Sequence, residues 1–159
     1  MEDLAEKRGA ILEKWLEQTL ASYPSQTAGF LRNEKDRFRN PVGHTLKEGL
    51  ATLLEEITGE MDTARITPAL ESIVRLRAVQ DFTAGQATSF VFALREILHD
   101  NLEGGAPPIW QKRIDEMALL AFDLYMRCRE EIYEIKARER QRDVYVWERM
   151  SHRAQGESR

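Results

Sequence analysis

Histidine, cysteine and carboxylate side chains are the groups in this chain that could do chemistry. Zinc sites need several histidine or cysteine ligands at close spacing, and a haem needs an axial histidine in an apolar pocket. His44, His99 and His152 lie far apart, and none is followed by a second ligand at metal spacing such as H-E-x-x-H. Only His99 approaches an axial position, so the residues favour structural or solvent roles for all three. We therefore predict no metal site and no cofactor.

Cys128 is the one cysteine, which excludes an intrachain disulfide and a thiolate cluster within one chain. Its sequence context is typical of a small apolar residue on a helix. The carboxylates fall on polar helix faces, whereas a catalytic pair needs a cleft that shifts one pKa. No G-x-S-x-G segment, P-loop or dinucleotide fingerprint occurs. We therefore predict no catalytic residues and no enzymatic activity.

Composition narrows the class of protein further. The chain has 159 residues, 42% hydrophobic and 31% charged, with a net charge of -4 and a pI of about 5.5. A weakly acidic chain is a poor nucleic-acid binder, because that binding depends on neutralising phosphates. No stretch approaches the ~20 apolar residues of a membrane span, and the start has no apolar signal region. We expect a cytoplasmic protein with no nucleic-acid partner and no membrane insertion.

The segments that must position these side chains are all predicted to be helices, six or seven in number. No strand is predicted. Apolar residues recur at 3.6-residue spacing, and prolines or glycines separate the segments. Asn40-Pro41 and Thr67-Pro68 each look like a helix start, with a cap followed by proline. Gly43 and Gly49 border a packing face and suggest close approach of another backbone. The predicted helices cover residues 3–22, 25–35, 40–58, 67–80, 84–102 and 109–150.

The stretch from Ile73 to Leu98 is the centre of this arrangement. Thr83 and Gln86 have the spacing of a capping box, in which each side chain satisfies the other's backbone amide. Phe92 lies off the core stripe, so we expect a second neighbour against that side. The predicted core stripe that follows consists of Ala87, Phe90, Val91, Leu94, Ile97, Leu98 and Leu102.

After the loop Gly104–Pro108, no proline or glycine occurs from Ile109 to Met150, which predicts one helix of ~40 residues. Its first half is apolar nearly all round, as in a central, buried helix. A 4-3 spacing predicts a dimer seam of Ile114, Ala118, Ala121, Tyr125, Cys128, Ile132 and Ile135. The apolar patch from Val144 to Met150 is expected to pack on the chain itself or on a symmetry mate. We divide the chain into a domain over 1–135 and a helix extension with a frayed tail, from Ser151, over 136–159.

Two segments carry a family resemblance: Arg39 to Thr45, which contains N-P-V-G, and Arg75 to Thr83, which contains R-A-V-Q-D-F, with Gln86 to Phe92 following. Over roughly residues 5–135 the chain resembles the N-terminal domain of the RsbT co-antagonist RsbRD. That resemblance implies a globin-like but non-haem sensory domain, usually dimeric, found in stressosome proteins and before bacterial histidine kinases, with no enzymatic activity. It transfers no ligand-binding residue. The matching packing and capping positions are Asn40, Pro41, Gly43, Phe82, Thr83, Gln86 and Phe90.

The sequence therefore predicts an all-α, globin-like domain ending in a long helix. Its predicted function is that of a cytoplasmic bacterial regulatory or sensory module in stress-response signal transduction, acting as a homodimer through protein–protein contact. One alternative is a globin-like protein that binds a small molecule or, less favoured, haem. Another is an adaptor subunit of a larger signalling or redox complex. The signal, the partner and the pathway are not encoded in any motif.

Overall fold

The computed structural model describes residues 2–156. Within that range the fold consists of six α-helices and contains no strand. The all-α prediction is confirmed. No helix in that range is both long and apolar enough to cross a membrane. The helices are α1 (Glu2–Leu20), α2 (Ser25–Asn33), α3 (Pro41–Thr58), α4 (Thr63–Val79), α5 (Ala84–Asn101) and α6 (Pro108–Gly156).

The junction between α2 and α3 is built around Asn40, which is buried. Its side-chain oxygen accepts from the Gly43 amide at 2.9 Å, and its side-chain nitrogen donates to the carbonyls of Leu31 (2.9 Å) and Glu34 (3.0 Å). Pro41 follows at the first helical position, as predicted. A Cβ on Gly43 would lie 2.6 Å from the Leu31 carbonyl oxygen, so the close backbone approach requires glycine.

Helix α4 begins earlier than the Thr67-Pro68 signal predicted. Asp62 is its cap and accepts from the Ala64 amide at 2.9 Å, so Pro68 lies inside the helix. Proline there removes one hydrogen bond, to the Ala64 carbonyl. Burial of Ile66 in the first two turns fixes this part of the helix against the core and offsets that loss. The helix start predicted at Thr67-Pro68 was therefore wrong, since the segment before it is already helical from Thr63.

The α4–α5 junction contains the predicted capping box. The Gln86 amide donates to the Thr83 hydroxyl at 3.2 Å, and the Thr83 amide donates to the Gln86 side chain at 3.0 Å. The predicted core stripe of α5 is buried, apart from Leu102, which is half-buried. Phe92 is 49% exposed, so among the described residues no second neighbour covers that side of α5 as expected. Its ring instead has the Arg95 guanidinium 5.9 Å from its centroid.

The core lies between α1, α3, α4, α5 and the first half of α6. Helix α6 packs against α4 and α5, and α1 packs against α5 and α3. Trp15 on α1 is fully buried, stacks on Phe90 with ring centroids 6.3 Å apart, and donates from its indole to the Phe90 carbonyl at 2.7 Å. These contacts hold α1 and α5 together beside the α4–α5 junction.

Helix α6 is continuous over 49 residues and is the longest element. Two expectations about it were wrong. Its first half is not buried all round, because Leu119 is 70% exposed. Its predicted frayed tail is helical from Ser151 to Gly156, and residues 157–159 of that tail lie outside the described residues.

Candidate interaction surface and buried arginine site

An exposed apolar face runs along α6 on the side away from the core. Leu119, Phe122 and Met126 are 70%, 47% and 42% exposed, and they repeat at helical spacing where α6 covers the domain. Tyr133, Val144 and Trp147 continue the same face beyond it. At 3.6 residues per turn these side chains fall within an arc of about 80°. We call Leu119, Phe122, Met126, Tyr133, Val144 and Trp147 the outer stripe.

The outer stripe reaches past the end of the packed domain. Ile132 is the last half-buried residue of α6, and every residue from 133 to 156 is exposed. We call residues 133–156 the extension. From Leu119 to Trp147 the stripe spans about 42 Å at 1.5 Å per residue. Arg129, Ala137 and Arg140 interrupt the stripe, which therefore consists of one apolar patch on the domain, Tyr133, and a second patch in the extension. Exposed apolar patches on an otherwise charged helix are typical of interaction surfaces.

The predicted dimer seam lies on a different face of α6. Ile114, Ala118, Ala121, Tyr125 and Cys128 are buried against the chain's own helices. Ile132 is half-buried, and Ile135 is 54% exposed. The 4-3 spacing over the first five positions therefore encodes packing of α6 on α4 and α5, and these side chains are not available to a second copy. The Tyr125 hydroxyl donates to the Phe82 carbonyl, and burial raises the pKa of the Cys128 thiol.

The apolar patch from Val144 to Met150 was expected to pack on the chain itself or on a symmetry mate. The first alternative is wrong: its apolar members are 47% to 75% exposed, because α6 projects beyond the domain and no other helix of the described residues covers them. Packing on a symmetry mate stays a prediction. Tyr145 has the guanidinium of Arg149 5.6 Å from its ring centroid, four residues along the same helix. The patch thus belongs to the extension.

A buried arginine occupies the centre of the α1–α4–α5 contact. Arg77 on α4 is 1% exposed. Its guanidinium donates to the Gln86 carbonyl (2.7 Å), the Thr19 carbonyl (2.9 Å) and the Ser22 hydroxyl (3.2 Å). Thr19 lies in the last turn of α1, where free carbonyls carry partial negative charge. Arg77 therefore ties the end of α1 to the start of α5.

Three aromatic rings surround this guanidinium. Its central carbon lies 5.2 Å from the ring centroids of Phe82 and Phe90 and 5.8 Å from that of Tyr23, within the range of cation–π attraction. No carboxylate of the described residues comes within the 4.0 Å of an ion pair with Arg77. Burial lowers the pKa of the arginine, and it raises the pKa of the Tyr23 phenol.

Two polar atoms in this cluster have no hydrogen-bond partner: Nε of Arg77 and the hydroxyl of Tyr23. A groove of about 430 Å³ between α1 and α5 has Arg77 in its wall, whereas Tyr23 does not line it. Its other walls come from Ser22, Ser89, Phe90, Phe92 and Glu96 among others. A positive group without a carboxylate partner thus faces a groove with polar and apolar walls.

The sequence signalled this site only in part. Phe82 and Phe90 were predicted as packing anchors, and both contact the guanidinium. Arg77 was missed, although it occupies the core face of α4, at helical spacing from Leu70, Ile73 and Val74. A charged residue on an otherwise apolar stripe was the available signal.

The histidines lie apart in the structure as in the sequence. His44 on α3 is half-buried and pairs with Glu48, four residues on, at 3.0 Å. His99 and His152 are exposed, so His99 does not lie in an apolar pocket. Within the described part of the chain, no group of three or more histidine, cysteine, aspartate or glutamate side chains could hold a metal ion.

Comparisons with known proteins give one family and one distant relative. The sequence model of the "RsbT co-antagonist protein rsbRD N-terminal domain" matches residues 9–140. An uncharacterized protein of Archaeoglobus fulgidus is 25% identical over 144 residues, which is 86% of this chain and 87% of the relative. No solved structure matches the chain. The globin-like architecture therefore stays an implication of the family resemblance.

Proposed function

The chain belongs to the RsbT co-antagonist protein rsbRD N-terminal domain family, and from this premise we propose that it is a sensory module acting through protein–protein contact. In this proposal it has no catalytic activity of its own and works in the cytoplasm in a stress-response pathway. The family is regulatory, and this supports the general role. The outer stripe is the single observation that supports contact with another protein as its mode of action.

We propose that a second copy of the chain covers the outer stripe. Six large side chains on one face of one helix are at least 42% exposed, and the face continues from the domain into the extension. Tertiary packing supplies most of the stability of helices in proteins, and every residue of the extension is exposed, so a partner helix would stabilise it. We therefore still propose the homodimer that was predicted from the sequence, but with its interface at the outer stripe and not at the Ile114–Ile135 seam.

The proposed mechanism is conformational. The first half of α6 packs against α4 and α5, and its second half projects from the domain without a break. A ligand or partner that favours one packing of the central helices would shift α6 as a unit. The extension would then present a changed contact surface to the next protein in the pathway.

The oligomeric state tests this proposal directly. Light scattering coupled to size-exclusion chromatography should give a dimer for the full chain at about 10 μM, a concentration at which interfaces of ordinary affinity are occupied. Leu119→Glu and Trp147→Glu, each placing a charge in the apolar contact, should give monomers.

Val79→Glu is the matched control, because Val79 is 65% exposed and lies on α4 outside the outer stripe. This variant should remain dimeric. A monomeric wild-type chain, or dimers that survive both outer-stripe substitutions, would refute the proposed contact.

The choice between signalling module and adaptor subunit depends on the partner. Affinity purification of the tagged full chain from its native cell should recover a kinase or another signalling regulator if the proposal is right. Recovery of a metabolic or redox complex instead would favour the adaptor role.

A further inference from the structure

The groove beside Arg77 has the chemistry of a small-anion site. A buried guanidinium with no carboxylate partner is unusual, because desolvating a charge is costly without compensation. Its three hydrogen bonds go to two carbonyls and a hydroxyl, and part of its donor capacity stays unused. The unpartnered Nε belongs to a side chain that is 1% exposed.

A second buried polar group without a hydrogen-bond partner lies in the same cluster. The Tyr23 hydroxyl has no partner either, and Tyr23 is 7% exposed. Buried polar atoms in native proteins nearly always have partners, and of these two groups only Arg77 lines the groove, so its unpartnered Nε points to a ligand there. Both groups can donate hydrogen bonds, and donors around a positive charge select an anion.

The walls of the groove define the rest of the ligand. Ser22 and Ser89 place hydroxyls near the Arg77 end, and Phe90 and Phe92 supply apolar surface. Glu96 also lines the groove, on α5 about two turns beyond Ser89. Its negative charge would repel an anion, so the charged group of the ligand must lie at the Arg77 end.

We propose that this groove binds a small organic carboxylate, with the carboxylate at Arg77 and the apolar body against Phe90 and Phe92. Such a ligand would tighten the α1–α4–α5 contact, which Arg77 already bridges. The inference deepens the proposed function by naming the class of signal, and it rests on that function only for its biological role. Binding itself is measured independently of the oligomeric state.

Benzoate is the probe, titrated into the ¹⁵N-labelled full chain to about 10 mM, the range expected for a fragment-sized ligand. Backbone amide signals of residues 18–22 and 86–96 should shift and saturate. Glu96→Gln should tighten benzoate binding by about threefold, because it removes an opposing charge.

Ser89→Trp should abolish the shifts by filling the groove while leaving Arg77 in place. Ser72→Trp is the matched control, since Ser72 is also exposed and lies on α4 outside the groove. Arg77→Met should also abolish binding, and if that variant does not fold, the Ser89→Trp comparison decides.

Two results would overturn the inference. The first is a wild-type chain whose amides do not shift with benzoate, or shift mainly outside the groove. The second is a shift of the groove amides by inorganic phosphate but not by benzoate, which would exclude the carboxylate class. Light scattering on the same samples tests the proposed dimer separately, because it reports the oligomeric state alone. A failure of benzoate binding can therefore be distinguished from a failure of the proposed dimer.

Discussion

At the scale of single residues, Arg77 shows how a charge can be buried in a small helical protein. Its partners are carbonyls, a hydroxyl and three aromatic rings, with no carboxylate among the described residues within ion-pair distance. The carbonyl end of α1 supplies part of the compensating charge. Arg75, two residues away, is exposed and bridges Glu71 and Glu131 at 2.9 Å each.

Replacing Arg77 by methionine should lower the free energy of unfolding much more than replacing Arg75 by methionine. Arg77→Met removes three hydrogen bonds that join α4 to α1 and α5, together with the contact of the guanidinium with three rings, so we expect it to lower the free energy of unfolding by about 2 kcal/mol or more. Arg75→Met removes exposed ion pairs and should cost less than about 1 kcal/mol. Urea unfolding followed by circular dichroism measures both. Equal effects would contradict the bridging role assigned to Arg77.

At the scale of elements, two helix starts use different chemistry. Thr83 accepts one hydrogen bond at its hydroxyl, from the Gln86 amide. Asn40 accepts from Gly43 and also donates to the carbonyls of Leu31 and Glu34, which ties α2 to α3. A cap that only accepts can be replaced by any good acceptor, whereas Asn40 needs both halves of its amide.

Aspartate should separate these two roles. It is as good a cap as asparagine in general, so Thr83→Asp should change the free energy of unfolding by less than about 0.5 kcal/mol. Asn40→Asp keeps the acceptor but places a carboxylate against two carbonyl oxygens, and we expect it to cost about 2 kcal/mol or more. Urea unfolding near neutral pH measures both variants. If Asn40→Asp were as stable as the wild type, the hydrogen bonds from Asn40 to the Leu31 and Glu34 carbonyls would contribute nothing to the free energy of unfolding.

At the scale of the whole molecule, the chain divides into a packed body and a projecting helix. The body extends to Ile132, and the extension has only exposed residues. Tertiary packing supplies most helical stability in proteins, so the two parts should open with very different free energies. The domain boundary predicted at residue 135 stays a prediction, although burial ends close to it.

Hydrogen exchange should resolve this division and its dependence on a partner. In dilute protein, amides of the extension should exchange far faster than those of α5, whose core face is buried. Under the proposed dimer, protection around Val144 and Trp147 should rise with protein concentration, and Leu119→Glu should remove that rise. Mass spectrometry at two concentrations measures it. Protection of the extension that is independent of concentration would contradict dimer contact there.

Much of the fold followed from local sequence alone. Asn40-Pro41 and the Thr83–Gln86 capping box were predicted to the residue, and so was most of the α5 core stripe, because capping and 3.6-residue periodicity depend on neighbours in the chain. Thr67-Pro68 misled the prediction, since the same local signal competes with the Asp62 cap and with burial of Ile66.

Only the tertiary structure decided which apolar faces are covered and which charge is buried. Helix α6 is apolar on several sides in sequence, and its spacing fits both the Ile114–Ile135 seam and the outer stripe. The positions of α4 and α5 decide that the first is mostly core and the second is exposed. Arg77 likewise looks like any helix arginine until α1 and α5 enclose it. Periodicity gives the faces of a helix, but burial is a property of what packs against them.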